Sequence, residues 1–142
     1  MSLPVLPRTG IGSVALNMTK DQVLTAMGKP DKEFYRSKFS NCLEWEWRSR
    51  GVFVAFDPQG LCIEVSAFGE SDPVLEGVNL LRVEAAEAWS LLRRLDGGVY
   101  EDEHSLISKS LGVLIFAPHI EEDPVEPADM VTVFRPDYPG VQ

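Results

Sequence analysis

The sequence predicts an α/β (α+β) domain of two layers. Two pseudo-symmetric repeats, each a helix plus three strands, share one curved antiparallel sheet. Three observations carry this. Gly12–Met27 aligns without a gap on Gly77–Leu92, so that Gly12 falls on Gly77, Leu16 on Leu81, Leu24 on Trp89 and Met27 on Leu92. Further on, Gly51-Val52-Phe53-Val54 falls on Gly112-Val113-Leu114-Ile115. Self-similarity of this kind means that one supersecondary unit is used twice. The second observation is strict apolar/charged alternation in Leu43–Arg48, which reads as a strand with one buried face. The third is a short, well-signed helix that cannot stand alone and must pack on a sheet. The whole chain, 1–142, then forms one domain, with repeats at 10–70 and 75–136.

The first repeat opens with Thr19-Lys20-Asp21-Gln22, which fits a capping box. Val23, Leu24 and Met27 follow at helical spacing; Gly28 and Pro30 stop the helix. Leu43, Trp45 and Trp47 share one strand face, and Gly51–Phe56 reads as a second strand. Asp57-Pro58-Gln59-Gly60 has the residues of a type I turn. Leu61, Ile63, Val65 and Ala67 then alternate with Cys62, Glu64, Ser66 and Phe68.

In the second repeat Val83–Leu95 reads as a helix. Glu84 and Glu87 stand in its first turns and Arg93 and Arg94 in its last, signs that suit the helix dipole. Strands are expected near Ser105–Ser108, Gly112–Ala117 and Met130–Arg135. In place of the four-residue turn of the first repeat stands a long connection, Pro118–Asp129. It carries Glu121, Glu122, Asp123, Glu126 and Asp129, and loops this long are often functional or disordered.

The net charge of −9 is lopsided. Residues 1–70 carry 8 basic and 8 acidic side chains, and residues 71–142 carry 5 and 14. Phosphate would be repelled, which argues against nucleic acid, and a basic protein partner would be attracted. No stretch approaches membrane-spanning length. The N-terminus has neither a basic segment nor an apolar run, and Cys42 and Cys62 lack Cys-x-x-Cys spacing. The expectation is a cytoplasmic protein with reduced thiols.

Asn17-Met18-Thr19-Lys20-Asp21-Gln22-Val23-Leu24-Thr25-Ala26-Met27-Gly28-Lys29-Pro30 resembles the signature Gly-Met-Thr-x-x-x-Val-x-x-x-Leu-Gly-x-Pro of the BamE-like family, small lipoproteins of the outer-membrane barrel-assembly machine. It is also similar to the beta-lactamase inhibitor protein-like family, which carries this unit in tandem. Asn17 stands where the signature has Gly, and Met27 where it has Leu. The resemblance implies short helices on one face of an antiparallel sheet. The tandem copy points to the inhibitor-like architecture.

A catalytic set is not expected. His104 beside Glu101, Asp102 and Glu103, and His119 beside Glu121, Glu122 and Asp123, show no established metal-ligand spacing. No cofactor or metal is implied. If Leu43, Trp45 and Trp47 face the helices, then Glu44, Glu46 and Arg48 line the other face, joined by Phe53, Ala55, Cys62, Glu64, Ser66 and Phe68. An acidic surface with embedded aromatics suits protein recognition.

The functional expectation is therefore an inhibitor or immunity-type protein. It would mask a basic toxin or enzyme through Phe53, Phe68, Glu44, Glu46 and Glu64 together with Glu121, Glu122, Asp123 and Glu126 of the loop. The alternatives are an enzyme or small-ligand protein with a site near His104, His119 and the acidic loop, and an assembly adaptor.

Overall fold

Thr19 starts the first helix as its residue type requires. In the computed structural model, which describes residues 2–35 and 42–138, its Oγ1 accepts the Gln22 amide at 3.2 Å. Gln22 Oε1 in turn accepts the Thr19 amide at 2.9 Å, completing the capping box. Helix α1 runs Lys20–Met27 and ends at Gly28 with φ 81°. Its last turn contains no basic residue, and the Arg50 guanidinium takes that role by donating to the Met27 carbonyl. Asn17, two residues before the cap, has φ 71°. Asn is among the few residues besides Gly that tolerate this left-handed geometry, so the departure from the Gly of the signature keeps the backbone turn.

Strands β5 (Leu43–Trp47), β6 (Val52–Phe56) and β7 (Cys62–Phe68) form an antiparallel meander. Register places Trp45 opposite Val54 and Val54 opposite Val65, so the apolar positions of all three strands share a face. The Asp57–Gly60 turn closes with Gly60 N–H to the Asp57 carbonyl at 2.9 Å. Asp57 Oδ1 also accepts the amides of Gln59 (2.9 Å) and Leu61 (3.0 Å). Arg48 leaves the strand for a single 3₁₀ turn, Arg48–Arg50, and so does not extend the sheet face as its alternation suggests.

Gly51 and Gly112, aligned in the sequence, have φ 64° and 65°. Each precedes a strand, β6 or β12 (Val113–Phe116), and each carbonyl accepts the amide of a phenylalanine, Phe68 or Phe134. A Cβ on Gly51 would lie 2.1 Å from the Phe68 carbonyl oxygen, and one on Gly112 2.8 Å from that of Phe134. Side chains are excluded at both places by the same close approach.

Each half brings four strands rather than the expected three. The additions are β4 (Lys32–Tyr35) and β10 (Tyr100–Asp102). Both are edge strands rich in charge and without clean alternation, so the pattern does not announce them. With β11 (Ser105–Ser108) and β13 (Met130–Phe134), the eight-stranded sheet has the order β10-β11-β12-β13-β7-β6-β5-β4. All its pairs are antiparallel.

The single sheet of the sequence reading is corrected to two. A smaller sheet has the order β3-β2-β1-β8-β9, from β1 (Ser2–Leu6), β2 (Gly10–Ile11), β3 (Val14–Ala15), β8 (Asp72–Leu75) and β9 (Val78–Asn79). Its β1–β8 pair is parallel. Pro4 and Pro7 hide β1 from a pattern search, because proline reads as a strand breaker.

Helix α2 (Ala85–Leu95) buries Ala88, Trp89, Leu91 and Leu92, and α1 buries Val23 and Met27. These residues join one core cluster with Trp45, Val54, Val65, Leu106, Ile115 and Val133 of the large sheet. Val5, Ile11 and Leu75 of the small sheet enter the same cluster. The architecture is mixed α+β, mostly strands, with both helices on one side of the large sheet. Trp47 Nε1 donates to the Gly28 carbonyl and Trp89 Nε1 to that of Ile115, each at 3.2 Å, which fixes each helix against a strand.

Thr19→Ala removes one half of the capping box and should cost about 1 kcal/mol of unfolding free energy. Urea denaturation with an unchanged slope checks this; a change below about 0.3 kcal/mol would show that the box is dispensable.

Candidate functional site

The face of the large sheet turned away from the helices is the candidate site. One cross-strand row on it reads Lys32, Glu46, Phe53, Ser66, Thr132, Leu114, Ile107, Tyr100. A second reads Phe34, Glu44, Ala55, Glu64, Phe134, and a third contains Phe68, Met130 and Phe116. Ala55, Ile107 and Phe134 are buried without belonging to the main core, so this face carries an apolar layer of its own. Phe53 and Phe68 are half-buried with ring centroids 5.9 Å apart. Phe34, Tyr100, Leu114, Phe116 and Met130 are also half-buried. At the centre, Ser66 Oγ and Thr132 Oγ1 satisfy each other at 2.7 Å.

The sequence-named residues divide here. Phe53, Phe68 and Glu46 lie on the face with partial exposure, and Glu46 approaches Arg48 at 3.7 Å. Glu44 and Glu64 lie on it too, but at 7% and 3% exposure they are buried and not surface charges as expected. They flank Ala55 across three strands, between Phe34 on one side and Phe134 on the other. Cys62, expected on this face, belongs to the core cluster. A register shift at Ala55/Phe56 pairs Phe56 with Cys62, which turns the thiol inward. Leu114, Phe116 and Tyr100 were not singled out from sequence. The alignment of Gly51–Val54 on Gly112–Ile115 already placed Leu114 at the position of Phe53.

The Pro118–Asp129 loop joins β12 to β13 and is ordered by its own backbone. Asp123 N–H reaches the His119 carbonyl at 2.7 Å, and Asp129 N–H that of Phe116 at 2.9 Å. Helix α2 has Glu84 at its N-cap with no side-chain cap. The loop supplies the missing acceptors: the carbonyls of Glu126 and Pro124 accept from Ala85 and Ala86, each at 3.2 Å. Glu121, Glu122, Asp123 and Glu126 are exposed on this segment, at the positive end of the α2 dipole. Ala128 is buried and Ile120 packs on the core.

His104 and Glu103, with φ 69° and 47°, form the two-residue turn between β10 and β11, a geometry that matches the twist of a hairpin. His119 Nδ1 lies 3.7 Å from Glu122, and both side chains are exposed. Among the described residues no group of three or more His, Cys, Asp or Glu side chains could hold a metal ion. Cys42 and Cys62 are buried and not joined in a disulfide. Burial pushes the Cys62 thiol up to about 12, so at neutral pH it is a protonated, unreactive thiol.

The strongest ion-pair cluster lies at the end of β13. Arg135 meets Asp57 at 2.8 Å and Asp137 through two contacts of 2.7 and 2.8 Å, and donates to Asn17 Oδ1 at 3.0 Å. Burial alone would raise the Asp57 pKa. The Leu61 amide and the Arg135 guanidinium outweigh it and hold the group below its ordinary 3.8. The hydrogen bond from Arg135 lowers Asp137 in the same way. Two clefts flank the domain, of about 570 and 450 Å³; neither is lined by His104 or His119. Comparison with protein-family models, with characterised proteins and with solved structures gives no match.

A carboxyl whose pKa is lower folded than unfolded stabilises the fold above its unfolded pKa, and that contribution is lost as pH falls through the folded value. Stability should therefore drop below pH 3.8, and Asp57→Asn should flatten that acid limb while lowering stability at pH 7. Denaturation midpoints at several pH values between 2 and 7 test it. Replacing residues 119–128 by a four-residue turn should cost more than the roughly 1–2 kcal/mol of a lost cap, because Ile120 and Ala128 leave the core as well. Neutralising Glu121, Glu122 and Asp123 together should stay within about 0.5 kcal/mol of the parent, as exposed charges do.

Proposed function

We propose that this chain is a non-catalytic protein-binding domain of the inhibitor or immunity type, which masks a basic toxin or enzyme with the sheet face opposite its helices. The observation that supports this most is the second apolar layer, with half-buried aromatics set around a satisfied Ser66–Thr132 centre. Aromatics that are partly covered and held by neighbours lose little entropy when a partner buries the rest. The charge of −9 favours a basic partner and a fast, salt-sensitive encounter.

The repeat architecture and its likeness to the tandem inhibitor-like unit belong to this proposal. The matching geometry of Gly51 and Gly112 supports them. So does the order of the large sheet, in which β7 to β4 and β13 to β10 run outward from one central pair. A cytoplasmic setting is proposed with it, in keeping with two buried cysteines outside any disulfide. Phe53 and Phe68 act as anchors, Glu46 sits among them, and Glu121, Glu122, Asp123 and Glu126 steer from the loop. Glu44 and Glu64 hold the floor rather than the rim.

The test is kinetic. With a partner isolated by affinity capture, Phe53→Ala should speed dissociation about tenfold or more, the equivalent of at least about 1.4 kcal/mol. The triple neutralisation of Glu121, Glu122 and Asp123 should slow association at low salt and have little effect at high salt. Dissociation unchanged in both Phe53→Ala and Phe68→Ala, with the fold intact by circular dichroism, would remove this face from the mechanism.

A further inference from the structure

The smaller cleft, of about 450 Å³, lies where the β1–β2 hairpin meets the β11–β12 turn and the end of β13. Arg8, Lys109 and Arg135 line it, and among the described residues no Asp or Glu does. In a chain with 13 basic and 22 acidic side chains, that grouping runs against the overall field.

The three cations are not equivalent. Arg135 is already committed to Asp57, Asp137 and Asn17. Among the described residues Arg8 meets no carboxylate. Its backbone has φ 63°, in the left-handed region that favours glycine. Its N–H is held by the Leu111 carbonyl at 2.8 Å, and its Nε donates to the Ser110 carbonyl. The guanidinium is thereby oriented, while its two terminal amino groups have no partner among the described residues. Lys109, on the same turn as Ser110, lines the same cleft; its Nζ lies 5.5 Å from the Tyr100 ring centroid and, among the described residues, meets no carboxylate.

We propose that this cleft binds a small oxyanionic ligand, with its phosphate or carboxylate group gripped by Arg8 and closed over by Lys109. A planar guanidinium with two amino groups available matches two oxygens of one such group, and an ammonium supplies a further point charge. The volume is that of a small-molecule site. Arg135, neutralised by its two aspartates, shapes the wall and does not supply the charge. A bound anion would tie the hairpin of the first repeat to a turn of the second, and ligand that binds only the folded chain stabilises it. The cleft borders the sheet face at Phe134 and, through Lys109, at Tyr100, while Arg8 and Lys109 themselves stand outside the rows of that face.

The whole protein is titrated with inorganic phosphate and, separately, with citrate, at ionic strength held constant with sodium chloride. Amide NMR and the thermal midpoint are read. Saturable shifts confined to residues 8–9 and 109–112, with a rise in the midpoint, are expected for at least one anion. Saturation by phosphate alone assigns a phosphate group, and by citrate alone a carboxylate. Arg8→Gln should weaken binding at least tenfold, Arg8→Lys less, and Lys109→Gln, at an exposed position that leaves folding untouched, severalfold. Shifts that do not saturate, that spread over the surface, or that persist at parental affinity in both Gln variants overturn the proposal.

Discussion

The pairing of β7 with β13 is the contact on which the remaining structure rests. Each strand ends one four-strand meander, and unpaired it would leave an open edge in the middle of the molecule. Paired, they put Val65 opposite Val133 and Ala67 opposite Val131 on the core side, all fully buried. On the other side Ser66 and Thr132 satisfy each other, so two buried hydroxyls leave no unmet hydrogen bond. Neither short helix is long enough to persist alone, and the joined sheet gives both a single surface to pack on. The parallel β1–β8 pair repeats the bridging in the smaller sheet, and the Asp57–Arg135–Asp137 cluster ties the end of β13 to the β6–β7 turn.

The same register divides the large sheet into two unlike faces. Continuous apolar positions on one side meet the helices and the smaller sheet. The other side holds rings around small polar residues. Glu44 and Glu64 are buried on that side, each standing between Ala55 and a phenylalanine. The shift at Ala55/Phe56 keeps Glu64 on that face while returning Cys62 to the core.

The two halves solve the capping of their helices differently. Thr19 and Gln22 close α1 with side chains, and the connection between β6 and β7 is a four-residue turn. Glu84 offers α2 no side-chain cap, and the longer β12–β13 connection brings carbonyls instead. The acid-rich loop is therefore a structural part of the second half, and its charges are presented from a fixed backbone. Steering and capping are compatible, because one uses exposed carboxylates and the other main-chain oxygens.

The sequence by itself determined what depends on near neighbours. The Thr19 capping box, the Asp57–Gly60 turn, the alternation of Leu43–Trp47 and both helices were legible, since spacing and residue type decide them within a few residues. The glycine correspondence of 51 and 112 was legible too, although its cause, a carbonyl of a distant strand at contact distance, was not. Tertiary structure alone decided the second sheet, the edge strands β4 and β10, the burial of Glu44 and Glu64, the inward turn of Cys62 and the capping role of Pro118–Asp129. Each depends on partners far away in the chain, and a strand register or a borrowed hydrogen-bond acceptor leaves no periodic mark in the residues that receive it. The cleft at Arg8 is of the same kind: its cations come from three separated segments, and only the closed fold brings them together.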